Sequence, residues 1–310
     1  MKIVFLDSKT VGDLPNLENL KSLGEVTLYS VTSPEQTADR IRDAEIIITN
    51  KVVINRELIE QTPSLKLICI AATGMNNVDL EAAEENGIEV KNVSGYASDS
   101  VAQVTFAMIL HLEQNLHFYD HYVKSGQYSK SGIFTNHDRP FRQLKGKCIG
   151  IIGLGSIGQT VAAIAEAFGM EVIYYSTSGK NDEQQYRRVE LGELLETSDI
   201  ISIHAPLNDN TRGLIGWREL KQMKKSALLI NTGRGGIINE EDLARAIEQN
   251  LISGAALDVF EQEPIERDNP LLKLEDSRNL VMVPHIAWAS IEARTELLEG
   301  VIKNIKEFII

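Results

Sequence analysis

Between residues 147 and 284 the sequence carries six short apolar runs, each ending in a polar or glycine-rich cluster. Runs of this length, alternating with helical patterns, fit parallel strands buried on both faces of a sheet. The first, Cys148-Ile149-Gly150-Ile151-Ile152, opens into Gly153-Leu154-Gly155-Ser156-Ile157-Gly158 and then a helical stretch. The fourth ends at Asn231-Thr232-Gly233-Arg234, the fifth at Asp258 and the sixth at Pro284-His285. In an open parallel sheet, ligands bind outside the carboxyl ends of the strands, where the topology switches. An arginine, an acid and a histidine at three such ends are therefore expected to converge on one crevice.

The same alternation starts at the N-terminus, where Ile3–Leu6, Glu25–Tyr29, Ile46–Thr49, Leu67–Ala71 and Glu89–Val93 read as five strands of a small flavodoxin-like domain. From Ala97 to about Tyr122, Val101, Val104, Met108 and Leu112 recur at helical spacing, as one helix leading into a second domain. Residues 125–145, with Gly126, Gly132, His137 and Pro140, are polar and irregular. A loop this long in a compact protein is usually functional or an interface, so residues 111–145 are expected to form a dimerisation arm. Leu297, Leu298, Val301, Ile305 and Phe308 share one helical face and should pack back on the first domain. The expected architecture is α/β with two domains. A Rossmann doubly wound parallel sheet, residues 98–288, is inserted in a smaller flavodoxin-like parallel α/β domain, residues 1–97 plus 289–310.

Composition mainly excludes. A net charge of -13 without any Lys/Arg cluster speaks against a nucleic-acid partner. No apolar run approaches the ~20 residues needed to cross a bilayer, and the opening Met1–Asp7 reaches an acid too soon for a signal peptide. Cys69 and Cys148 read as buried thiols of a reducing compartment, and no residues have metal-ligand spacing. A soluble, cytoplasmic protein without a metal is expected.

A lone G-x-G-x-x-G is weak evidence. Here a strand precedes it, and a helix with Val161, Ile164, Ala165 and Phe168 on one side follows. Gly153 would permit the tight turn, Gly155 the approach of a pyrophosphate, and Gly158 close packing of helix on strand. The N–H groups around Ser156 and Ile157 would meet the phosphate charge. The next strand, Glu171–Tyr175, should end in an acid if the pocket grips the ribose hydroxyls of NAD. It ends instead in Ser176-Thr177-Ser178-Gly179-Lys180. A 2′-phosphate would not be repelled there, and Ser176, Ser178 and Lys180 would bind it, which tilts the expectation from NAD(H) toward NADP(H). In the plainer alternative, the serine bonds the ribose of NAD and Lys180 is solvated.

Arg234 lies between glycines at a strand end, and its planar fork suits a bidentate grip on a carboxylate. A structural salt bridge is its plain alternative. Glu263, in Val259-Phe260-Glu261-Gln262-Glu263-Pro264, would by itself be a solvated turn. His285, at the last strand's end, is the side-chain type suited to donate and accept protons near neutral pH. A carboxylate such as Glu263 behind it would fix its tautomer. His204 is expected to help line the cofactor crevice, while His111, His117, His121 and His137 lie in the connecting helix and arm.

Several segments now stand together: Gly153–Gly158; Ser202-Ile203-His204-Ala205-Pro206-Leu207 with Thr211; Asn231–Gly236; Leu257-Asp258-Val259-Phe260 with Glu263-Pro264; Pro284-His285-Ile286-Ala287; and Ala72-Thr73-Gly74-Met75-Asn76-Asn77-Val78-Asp79. In order and spacing the chain resembles the D-isomer-specific 2-hydroxyacid dehydrogenase family over nearly its whole length. His285-Ile286-Ala287-Trp288-Ala289-Ser290 is most similar to the glycerate dehydrogenase (hydroxypyruvate and glyoxylate reductase) branch. The resemblance implies an NAD(P)-dependent, homodimeric oxidoreductase reducing a small 2-keto acid. Arg234 would bind the substrate carboxylate, His285 would be the acid/base and Glu263 its partner. Asp258 would hold the nicotinamide amide side, and Thr232, Gly233, Ala205, Pro206 and Thr211 would belong to the cofactor site. The backbone of Thr73-Gly74-Met75 would complete the carboxylate cradle from the other domain, in a site that closes on binding. Ser176 departs from the usual acid of NAD-dependent members. A D-lactate-type or phosphoglycerate dehydrogenase is the alternative within the family, the latter weakened because no regulatory domain follows residue 310. A dinucleotide-sensing corepressor of the same fold is the alternative outside catalysis.

Overall fold

Strand β1 (Lys2–Phe5) sends Ile3 and Phe5 into one apolar cluster and Val4 into another. A strand covered on both faces must be apolar at nearly every position, so the run shows no polar alternation. The computed structural model describes residues 1–180, 185–274 and 279–309. The chain divides into two units, Met1–Ala97 with Trp288–Ile310 and Ser98–Ala287. The later boundary thus falls before Trp288, one residue earlier than the expected 288/289.

In the first unit, β1 is joined by β2 (Glu25–Leu28), α1 (Pro34–Ile41), β3 (Ile46–Thr49), α2 (Arg56–Glu60), β4 (Leu67–Ile70), α3 (Leu80–Glu85) and β5 (Glu89–Lys91). The strands form a parallel sheet in the order β2-β1-β3-β4-β5, the flavodoxin-like order. Ile47, Ile68 and Ile70 pack with Ile41, Ile59 and Ala82 from the three helices. Ile46, Ile48, Leu67 and Cys69 pack on the opposite face with Leu297, Leu298, Val301 and Ile305 of the C-terminal helix Ile291–Ile309.

The second unit opens with α4 (Ser98–Gln114), α5 (Leu116–Lys124) and α6 (Gln127–Lys130). The single helix expected to about Tyr122 is broken at Asn115, whose φ of 50° is left-handed and cannot continue a helix. The segment expected to be irregular from residue 125 contains α6. The sheet follows: β6 (Cys148–Ile152), α7 (Ser156–Ala167), β7 (Glu171–Tyr175), β8 (Arg187–Arg188), α8 (Leu191–Thr197), β9 (Ile200–Ile203), α9 (Trp217–Leu220), β10 (Leu228–Asn231), α10 (Glu240–Glu248), β11 (Gly254–Leu257) and β12 (Leu280–Met282). Seven strands are present among the described residues, not six. The extra one, β8, is a two-residue edge strand of arginines that no apolar run announces.

All seven run parallel in the order β12-β11-β10-β9-β6-β7-β8. The chain grows one way from β6 to β8 and the other way from β9 to β12, which puts the switch point between β6 and β9. On one face Ile149, Ile151, Leu228, Ile230 and Ala256 pack with α4 and α7. On the other, Ile201, Ile203, Leu229, Ala255 and Leu257 pack with residues of α8, α9 and α10. This is the doubly wound Rossmann architecture. Cys69 is buried, whereas Cys148, at the start of β6, is only half-buried.

Candidate active site

The glycine turn after β6 assigns each glycine a different task. Gly153 has a φ of 93°, and a Cβ there would stand 2.9 Å from the Ala205 backbone. A Cβ on Gly158 would stand 2.4 Å from the Gly153 carbonyl oxygen, so α7 packs on β6 only through a bare Cα. At Gly155 a Cβ would meet nothing within 4 Å. Among the described residues nothing packed nearby requires that glycine, and the open space at the start of α7 fits a dinucleotide pyrophosphate over the N–H groups of Ser156 and Ile157.

Strand β7 is followed by Ser176, which is buried while its Oγ has no hydrogen-bond partner among the described residues. A buried hydroxyl left unsatisfied is costly, and this one stands at the strand end where the sequence leads one to expect a ribose. The Lys180 N–H donates to Ser178 Oγ at 3.3 Å. Sequence reasoning missed Arg188, which β8 places beside Tyr174 and whose Nη1 donates to Gly179 O at 3.4 Å.

Strands β10, β11 and β12 are consecutive neighbours, with Asn231 opposite Leu257 and Leu257 opposite Met282. Adjacent strands lie about 4.8 Å apart, so the segments carrying Arg234, Asp258, Glu263 and His285 leave the sheet side by side. Asn231, almost fully buried, folds the first of them: its Oδ1 accepts the Gly233 N–H and its Nδ2 donates to Arg234 O at 2.9 Å. The Arg234 guanidinium donates to Gly233 O at 2.8 Å. Gly235 lets this segment touch the next, since a Cβ there would lie 1.8 Å from Phe260 O. The motif contained Gly235, but only the fold shows what it touches.

His285 and Glu263 form the central pair, with Nδ1 and Oε2 2.7 Å apart and both side chains partly shielded from solvent. The second carboxylate oxygen, Oε1, accepts the Phe260 N–H at 3.1 Å, which fixes the acid's orientation. With Nδ1 committed to a carboxylate, Nε2 is the ring nitrogen left for proton exchange. His285 has a φ of 53°, a conformation that costs on the order of 1–3 kcal/mol for a non-glycine residue and clusters at functional sites. Asp258, 1% exposed, accepts the N–H groups of Ile286 and Ala287, and burial raises its carboxyl to about 6. Ser100 Oγ donates to Ala287 O, tying α4 to the same turn.

Both His204 nitrogens are engaged, Nε2 with Ser202 Oγ at 2.8 Å and Nδ1 with Thr232 Oγ1 at 3.2 Å. Burial pushes this histidine down to about 3, so its ring is neutral. Ala205 is buried and Pro206 exposed at the end of β9. Thr211, fully buried, spends its hydroxyl on its own loop, donating to Pro206 O and accepting the Asn208 N–H. Thr73, Gly74 and Met75 follow β4 in the first unit, where Thr73 Oγ1 donates to Val93 O and Asn92 Nδ2 donates to Thr73 O. Among the described residues no group of three or more His, Cys, Asp and Glu side chains is arranged to hold a metal ion.

Residues 106–287 match the family model of the D-isomer specific 2-hydroxyacid dehydrogenase NAD binding domain. The chain is 38% identical to the hydroxypyruvate reductase of Blautia hydrogenotrophica, over 100% of this chain and 97% of that protein. It is 37% identical to the glycerate dehydrogenase of Methylorubrum extorquens, over 99% of this chain and 96% of the other. Among solved structures it is similar to an acyclic imino acid reductase in complex with NADPH and D-Arg, with a TM-score of 0.86, 31% identity, and coverage of 100% of this chain and 97% of that one.

Proposed function

The chain belongs to the D-isomer specific 2-hydroxyacid dehydrogenases, and we propose that it reduces a small 2-keto acid of the hydroxypyruvate or glyoxylate type. It is an oxidoreductase acting on 2-hydroxy acids with a nicotinamide dinucleotide. The observation that carries the catalytic reading is the 2.7 Å pairing of His285 Nδ1 with Glu263 on a segment adjacent to Arg234.

A bound dihydronicotinamide supplies the hydride. Arg234 presents a fork of donors to the substrate carboxylate. His285 gives its Nε2 proton to the carbonyl oxygen as negative charge grows there, and Glu263 keeps Nδ1–H in place and offsets the imidazolium charge. Asn231 holds the turn that carries Arg234, and Asp258 the turn that carries His285. Steady-state oxidation of NADH and NADPH with hydroxypyruvate, glyoxylate, pyruvate and 3-phosphohydroxypyruvate tests the reading. Turnover with the first two is expected, and turnover with none of the four overturns it.

The cofactor side favours NADP(H). Ser176 stands where an acid would repel a 2′-phosphate, with Ser178, Lys180 and Arg188 nearby in sequence or in the sheet. A homodimer is favoured by apolar side chains exposed along the arm: Leu116 is 60%, Ile133 61%, Phe134 89% and Phe141 57% exposed. Large apolar side chains exposed along one segment fit an interaction surface. Light scattering of the wild type and of Phe134→Asp reads the assembly directly.

A further inference from the structure

A chain of hydrogen bonds runs behind the ends of β9 and β10. Thr105 Oγ1, inside α4, bonds the Val101 carbonyl oxygen at 2.8 Å and lies 3.1 Å from Thr232 Oγ1. Thr232 Oγ1 lies 3.2 Å from His204 Nδ1, and His204 Nε2 lies 2.8 Å from Ser202 Oγ. All three hydroxyl residues are nearly or fully buried, Thr105 and Ser202 at 0% and Thr232 at 6% exposure.

The direction of this chain is fixed at one end. A carbonyl oxygen only accepts, so the single Thr105 hydroxyl proton goes to Val101. Thr105 can then only accept from Thr232, and Thr232, its own proton spent, can only accept from His204 Nδ1–H. The ring is neutral, so Nε2 carries no proton and accepts from Ser202. We propose that Thr105 locks His204 as the Nδ1–H tautomer and thereby leaves Thr232 a hydroxyl that can accept but not donate, matched to the NH₂ of the nicotinamide carboxamide. His204 and Thr105 are positioning residues here, acting through Thr232. The assignment of the ligand rests on the reading that the end of β10 faces the nicotinamide; the direction of the chain does not.

Nitrogen-15 spectra of labelled histidine at neutral pH test the direction, with His204 assigned by its loss in His204→Asn. The wild type should show neutral His204 protonated on Nδ1. Thr105→Val keeps the shape but removes the acceptor, which frees the Thr232 proton to turn to Nδ1 and moves the ring proton to Nε2. Thr105→Ser should keep the wild-type tautomer. An Nε2–H ring in the wild type, or an unchanged tautomer in Thr105→Val, overturns the relay.

The ligand side is read by comparing KM for the reduced cofactor and for its 3-acetylpyridine analogue, whose methyl ketone lacks the NH₂. The wild type should favour the carboxamide by about 3–10-fold, the worth of one hydrogen bond. In Thr232→Val, which leaves no hydroxyl to accept the NH₂, the preference should disappear, whereas in Thr105→Val, where the Thr232 proton turns to His204 Nδ1 and the hydroxyl still accepts, it should persist. A preference that survives in Thr232→Val overturns the match to the carboxamide. If the wild type bound no dinucleotide at all, the functional reading would fail, while the spectra would still judge the relay.

Discussion

Asp258 holds His285 from two directions. Its main-chain carbonyl accepts the His285 N–H at 2.8 Å, and its carboxylate accepts the next two N–H groups, from Ile286 and Ala287. Those bonds offset the left-handed backbone of His285 and aim its ring at Glu263. The carboxylate achieves this from a buried position that disfavours its charge.

That burial predicts a pH signature. An acid whose pKa rises on folding, here from 3.8 to about 6, stabilises the fold fully below its unfolded value and loses that contribution as pH climbs through the folded one. A shift of this size is worth on the order of 3 kcal/mol. Unfolding free energies from urea titrations at several pH values should show the wild type losing roughly 2–3 kcal/mol relative to Asp258→Asn between about pH 4 and pH 7. Parallel curves would remove the buried charge from the account.

Two glycines of one turn should respond oppositely. Gly158→Ala drives a Cβ to 2.4 Å from Gly153 O and should lower stability by about 1–3 kcal/mol, the usual cost of overpacking. Gly155→Ala meets open space, so its thermal unfolding should stay close to wild type while the cofactor KM rises by about 10-fold or more, as expected when a methyl meets the pyrophosphate. Equal losses of stability would contradict the separate tasks.

Cofactor choice should follow residue 176. Ser176→Asp restores the acid that accepts ribose hydroxyls and repels a 2′-phosphate. The ratio of kcat/KM for NADPH over NADH should fall by about 10-fold or more, one charge–charge term of about 1.4 kcal/mol or above. A wild type that strongly prefers NADH would already sink the NADP assignment.

Legibility in the sequence followed the physics of each feature. Strands buried on both faces leave uninterrupted apolar runs, so the ends that carry Gly153, Ser176, Arg234, Asp258 and His285 could be read directly. The edge strand Arg187–Arg188 has no such run, because two exposed residues carry no hydrophobic signal, and Arg188 was missed with it. The break at Asn115 interrupts a pattern whose apolar spacing continues on both sides. Partnerships across distant segments were the least visible. Nothing local tells that Asp258 will spend its carboxylate on Ile286 and Ala287, that Gly235 must clear Phe260, or that Thr105 will meet Thr232 across 127 positions.

The most direct test is the single-turnover rate of keto-acid reduction by His285→Gln, measured with enzyme saturated in reduced cofactor. Loss of a general acid predicts a fall of about 10²–10⁴-fold with dinucleotide affinity retained. A rate close to that of the wild type would contradict the role of the His285–Glu263 pair.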